Sequence, residues 1–277
     1  MNFNRPLIKE QNKEERQSRQ ISNKQFNLFP EFVSGNNEIL ETEQPEFNKL
    51  FSIITHNIRN PFGTLLGFSD MLELEFDELD DGEKRFFISE IRKSAKYIYN
   101  SVENFICWAA LNNVDYQIDF EKFDIYEVAL EVVQLNKKTA GSKNILINIE
   151  KKPDQFVLGN RNLITILIKN LLSNAIKNSP GNSQISIGFE SAGNEIITSI
   201  KDEGVGIDRE ILPYLFSSEG IFKAIKENQQ KGVGLGLILS KKIIDVHKGE
   251  IWVESEINKG SKFSFSLIKV EVLPEEK

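Results

Sequence analysis

Two groups of residues in this chain have types and spacings suited to chemistry. The first centres on His56, in Phe51-Ser-Ile-Ile-Thr-His56-Asn57-Ile-Arg59-Asn60-Pro61-Phe62. A neutral imidazole keeps a lone pair on one ring nitrogen near pH 7. With its other N–H held by an acceptor, such a ring can attack a phosphorus in line. The second group lies more than a hundred residues further on, in three boxes: Asn170-Leu-Leu-Ser-Asn174-Ala-Ile-Lys177, Asp202-Glu-Gly204-Val-Gly206, and Gly232-Val-Gly234-Leu235-Gly236-Leu237.

Asn170 and Asn174 share one helix face at i, i+4, with Lys177 a turn later. Amide oxygens are hard ligands that suit Mg²⁺ still carrying phosphate oxygens and water, and Lys177 would neutralise phosphate charge. Asp202 follows a strand, where a carboxylate can accept from an exocyclic amine while glycines let the backbone approach a flat ring. The glycine run opens a helix, whose free N–H groups and positive dipole end favour phosphate. It is not a GxxxxGK loop, and no ribose-binding acid follows at dinucleotide spacing. Singly, these boxes read as an Asn-rich helix, a turn and a glycine run. In this order they describe a site for ATP.

Two helices must position the histidine. Phe47, Phe51, Ile54, Ile58, Pro61, Leu65, Phe68 and Leu72 recur at alternating steps of four and three, a heptad seam on a long helix. His56 falls opposite that seam and shares its face with Ser52, Arg59, Gly63 and Asp70. Pro61 removes the donor for the Asn57 carbonyl, so a bend is expected beside His56, with Gly63 and Gly67 just beyond. The run Asp77 to Gly82 breaks the helix, and a second seam follows through Phe87, Ile91, Ile98, Val102, Phe105 and Ala109. The pair reads as an antiparallel hairpin that cannot bury both seams alone. Two copies would bury them as a four-helix bundle, so a homodimer through residues 46–112 is expected.

Beyond Asn112 the texture becomes β-rich. Strands are expected over 145–150, 184–190, 195–201, 250–255 and 262–269, with helices over 124–138, 160–178 and 233–247. That pattern predicts an α/β sandwich, one sheet covered by helices on one face. The fold class is therefore α+β. The organisation is a tail at 1–45 with an apolar patch from Phe26 to Val33, a hairpin at 46–112 and an α/β domain at 113–277.

Composition narrows the function classes. Lys and Arg number 34 against 41 Asp and Glu, a net charge of −7. That balance argues against a nucleic-acid footprint. One cysteine, Cys107, excludes an internal disulfide and fits a reducing compartment. No apolar run is long enough for a membrane span, and no signal-peptide core opens the chain, so a cytoplasmic protein is expected.

The His56 segment resembles the phosphoacceptor box of dimeric histidine kinases: His, an acid, two variable positions, Thr or Asn, then Pro. His56, Asn60 and Pro61 match, while Asn57 stands where the family carries the acid. The three boxes resemble the Bergerat-type ATP-binding domain shared by histidine kinases, DNA gyrase and heat-shock chaperones. The run from Lys241 to Phe263, with Phe123-Asp124-Ile125, is similar to the histidine-kinase branch. The resemblance covers about residues 46–270. In it, 215–231 would be a lid over ATP, with Phe216 and Phe222 unusually far apart and Lys223 and Lys226 after them. His247, at a helix end, reads as structural.

The resemblance implies a two-component histidine kinase core. ATP and Mg²⁺ would bind through Asn170, Asn174, Lys177, Asp202, Gly204, Gly206, Gly232, Gly234, Leu235, Gly236 and Leu237, with Asn170 and Asn174 on the metal. His56 would be phosphorylated among Asn57, Arg59 and Asn60, and a separate response regulator's aspartate would take the phosphoryl group. Asn57 can accept an imidazole N–H but carries no charge, so Asn57→Asp is expected to speed autophosphorylation about tenfold or more. Asp70, Glu73 or a group from the other domain would otherwise compensate. Two alternatives are a pseudokinase or phosphatase-biased regulator, in which Asn60 orients a water, and an ATP-responsive dimeric binding module.

Overall fold

The computed structural model describes residues 45–113, 117–152, 154–218 and 235–271. The tail with its apolar patch, Gly232, Gly234, Phe222, Lys223 and Lys226 lie outside them. The chain divides after Phe51 into two compact units. Of the first, only the opening of a helix is described; residues 52–277 form the second.

Helix α1 runs from Pro45 to Leu74 and continues through Pro61. Pro45 suits a first helical position, where its missing N–H costs nothing. Helix α2 runs from Asp81 to Asn112. A capping box starts it: Asp80 accepts from the Glu83 N–H at 2.8 Å, and Glu83 accepts from the Asp80 N–H at 3.0 Å. Gly82, read from the sequence as part of the breaker, therefore lies inside α2. Near the turn, Phe68 of α1 packs against Phe87 at 5.1 Å and edge-on against Phe86 at 5.8 Å. Phe62, Leu66, Met71 and Leu74 of α1, and Val102 and Ile106 of α2, remain exposed in the single chain.

The remainder is helices on a sheet. In chain order come β1 (Glu121–Asp124), α3 (Ile125–Gly141), β2 (Leu146–Ile149), β3 (Phe156–Gly159), α4 (Arg161–Asn178), β4 (Gln184–Ala192), β5 (Glu195–Asp202), a 3₁₀ turn at Leu212–Tyr214, α5 (Leu235–Val246), β6 (Ile251–Glu256) and β7 (Gly260–Ile268). Five strands form one sheet in the order β2-β4-β5-β7-β6, and β1 pairs antiparallel with β3. β2 runs parallel to β4, and the other neighbours are antiparallel. Alternate residues of the central strands are buried: Ile185, Ile187 and Phe189 on β4, Ile196 and Ile200 on β5, and Phe263, Phe265 and Leu267 on β7. They form one apolar face, against which α4 buries Ile164, Leu167, Ile168, Leu171 and Leu172. The expected strands and helices all form within a few residues of their predicted ends. β1 and β3 were not expected; each is held by pairing with the other across the chain.

Local chemistry fixes α4 at both ends. Its first turn is capped by Asn160, whose side chain accepts from the Leu163 N–H at 3.0 Å. At its other end the Lys143 ammonium donates to the carbonyls of Ile176 (2.8 Å), Lys177 (3.0 Å) and Ser179 (3.2 Å). A cation there offsets the negative dipole end and satisfies carbonyls that have no helical partner.

His247 ties α5 to α4. The ring is buried, its Nε2 accepts from the Asn160 N–H at 2.9 Å, and its Nδ1 lies 2.6 Å from the Ile243 carbonyl. One nitrogen must accept and the other donate, so the ring is the neutral Nδ1–H tautomer. It stacks on Phe120 at 4.9 Å, and a Cβ on Gly159 would meet it at 2.8 Å. Burial lowers its pKa below the ordinary 6.5. An unfolded chain protonates this ring as pH falls through that value while the folded chain resists. Its stabilising contribution is therefore complete above pH 6.5 and is lost as pH falls toward the folded pKa. Thermal unfolding between about pH 7.5 and 5.5 should show a shallower pH slope for His247→Gln than for wild type, by up to one proton's worth.

Candidate ATP and phosphoacceptor site

Asp202 ends β5 and is 4 % exposed. Its Oδ1 accepts from the backbone N–H groups of Gly204 (2.8 Å) and Ser261 (3.2 Å). Burial raises its pKa, and those two bonds oppose the rise. The hydrogen bonds described use Oδ1 alone.

The neighbouring glycines serve the protein's own packing. A Cβ on Gly204 would sit 2.7 Å from the Asn178 carbonyl oxygen. Gly206 has φ +71°, and a Cβ there would sit 2.0 Å from the Glu256 carbonyl oxygen. Both positions demand glycine because backbone crosses backbone at the end of α4 and at the β6–β7 turn.

On α4, Asn170 reaches the start of α5: its Nδ2 lies 3.4 Å from the Gly236 carbonyl. Surrounding atoms pull the Lys177 pKa below the ordinary lysine value by desolvation, although the side chain reaches the surface. Leu237 is buried, an apolar core position of α5 that does not line the cavity described next.

Helix α2 packs along α5, and the space they leave with α1, α3 and α4 is a cavity of about 530 Å³. That volume suits a small polyanionic ligand. Asn57 lines it from α1. Asn170, Asn174, Lys177 and Lys169 line it from α4, with Leu235 and Gly236 at the start of α5. Helix α2 contributes Lys96, Tyr97, Asn100, Glu103 and Cys107, and Asn136 of α3 closes a further side. Arg59, Asn60, Asp202, Gly204 and Gly206 do not line it; Arg59 and Asn60 are exposed on α1. His56 lies on α1 immediately before Asn57. The α2 and α3 residues carried no sequence signal, since they match no motif and sit on faces that read as ordinary polar helix surface.

The donor set fits a polyphosphate with Mg²⁺. Two amides and two lysines of one helix face the same space, and among the described residues no cluster of three or more His, Cys, Asp or Glu is placed to hold a metal without such a ligand. Among the described residues no helix is long and apolar enough to cross a membrane.

Residues 159–271 match the family model for histidine kinase-, DNA gyrase B- and HSP90-like ATPases. The chain is 30% identical over 226 residues to the adaptive-response sensory kinase SasA of Synechocystis sp., covering 79% of this chain and 58% of that protein. It is 28% identical over 232 residues to the sensor protein KdpD of Clostridium acetobutylicum, covering 83% of this chain and 25% of that one. Among solved structures, histidine kinase ThkA in complex with response regulator TrrA shares the fold: TM-score 0.63 over 87% of this chain and 64% of that one, at 24% identity. The α/β region thus carries an ATP-binding domain of the histidine kinase, gyrase B and HSP90 type. Over most of its length the chain is similar to sensor histidine kinases. It spans only part of the length of the curated relatives it matches.

Proposed function

We propose that this chain is a two-component histidine kinase core that phosphorylates His56 from ATP and passes the phosphoryl group to an aspartate of a response regulator. The observation that carries the reading is the single cavity walled by Asn57, next to His56, and by Asn170, Asn174 and Lys177. Residues 113–277 would hold the nucleotide, with Asp202 on the adenine amine and the α4 amides facing the phosphates. Mg²⁺ on Asn170 and Asn174 would draw charge from the phosphate oxygens. The His56 nitrogen attacks the γ-phosphorus, an N–P bond forms, and the bond to the bridging oxygen breaks to leave ADP. Catalysis is then mostly positioning and charge neutralisation, with Lys177 and Lys169 supplying cations.

Residues 46–112 would form the dimer. The exposed apolar residues of α1 and α2 support a second copy as their cover, because they would otherwise meet water. The dependence on ATP places the reaction in the cytoplasm.

The test is incorporation of label from γ-labelled ATP. Wild type should label, and His56→Gln should not while retaining ATP binding. Equal labelling of both would move the acceptor elsewhere. Absence of label in wild type, with ATP bound, would replace this reading by a regulator or binding module.

A further inference from the structure

We propose that Glu103 is a positioning residue for the His56 reaction, supplying the negative charge that Asn57 cannot. The inference rests on the kinase reading above. As the N–P bond forms, the imidazole becomes cationic, and a nearby carboxylate both stabilises that charge and orients the remaining N–H. Asn57 offers an acceptor oxygen without charge.

The cavity holds few candidates. Its cationic lining residues are Lys96, Lys169 and Lys177, and its only carboxylate among the described residues is Glu103. Asp70 and Glu73, the other candidates along α1, are fourteen and seventeen residues from His56. At 1.5 Å per residue they sit about 21 and 25 Å up the helix, out of reach.

Along the helix axes Glu103 lies near the level of His56. The Phe68–Phe87 contact sets the register of the antiparallel hairpin. Counting back from it places His56 level with about Tyr99, so Glu103 lies about 6 Å further along the axis, one helical turn. Lys96, Asn100, Glu103 and Cys107 form one stripe at helical spacing on the cavity side of α2. The Glu103 charge is felt at Cys107, where it adds to burial in raising the thiol pKa. Glu103 makes no hydrogen bond or ion pair with the described residues, so its carboxylate is uncommitted.

The experiment is a double-mutant cycle read as the initial rate of His56 labelling at saturating ATP, with ATP affinity measured separately. Glu103→Gln should slow labelling about tenfold or more with affinity unchanged. Asn57→Asp alone should speed labelling by less than the tenfold that the sequence suggested, because Glu103 already supplies a charge. In the Glu103→Gln background, Asn57→Asp should restore the rate to within about threefold of wild type. A residue that only supports the helix would not be rescued by a new charge on another helix. A wild-type rate in Glu103→Gln overturns the proposal. So does a slowed Glu103→Gln that Asn57→Asp leaves slow, or that excess Mg²⁺ restores, which would make Glu103 a metal ligand. Absence of label in wild type overturns the kinase reading itself.

Discussion

Asp202→Asn should lower ATP affinity by about tenfold to a hundredfold without unfolding the domain. Asparagine keeps the Oδ1 acceptor for the Gly204 and Ser261 N–H groups but sets an NH₂ donor where Oδ2 would meet the adenine amine. Two donors then face each other in a buried place, and a lost charge-assisted hydrogen bond is worth about 1.5–3 kcal/mol. Stability should not fall. A carboxylate whose folded pKa is raised above 3.8 opposes folding once pH exceeds that value, and asparagine removes this cost. Asn174→Ala should behave differently, weakening binding in the presence of Mg²⁺ and barely without it. Calorimetry on both variants, with and without Mg²⁺, checks the pair. Unchanged affinity in both would remove Asp202 and Asn174 from the nucleotide site.

Mixed dimers should separate the two routes of phosphoryl transfer completely. One subunit carries His56→Gln and its partner Asn174→Ala, so neither contains both a working acceptor and a working nucleotide site. Transfer within a subunit leaves such dimers unlabelled. Transfer between subunits labels the Asn174→Ala subunit at the level that one competent pair allows. Differently tagged subunits, purified through both tags, make the measurement direct. Label on the mixed dimer, with His56→Gln homodimers blank, would show that the acceptor is served by the partner's nucleotide.

Much of the fold was legible because its signals are local. The α1 and α2 seams repeat every seven residues, and the central strands alternate apolar and polar positions, so periodicity located them. Asn160 and Asp124 cap helices in the way their residue types predict. β1 and β3 were missed for the opposite reason, since pairing across the chain holds them.

The candidate site was legible only in part. Asn170, Asn174 and Lys177 came from one helix face, and α4 delivers them together to the cavity. The glycines of the second box were read as room for a ring. Gly204 and Gly206 also make room for the backbone at Asn178 and Glu256, contacts that join segments distant in sequence.

From the sequence alone came the element types, the chemistry available at His56 and in the three boxes, and the absence of a charge at Asn57. These depend on residue identity and on spacing along the chain. The tertiary structure alone decided that α2 lies along α5, and therefore that Lys96, Asn100 and Glu103 share a cavity with Asn57 and the α4 amides. It also decided that His247 is spent on holding α5 to α4. Such contacts arise from packing between elements, where the partner of each residue is set by how whole helices bury their apolar faces and not by its sequence neighbours.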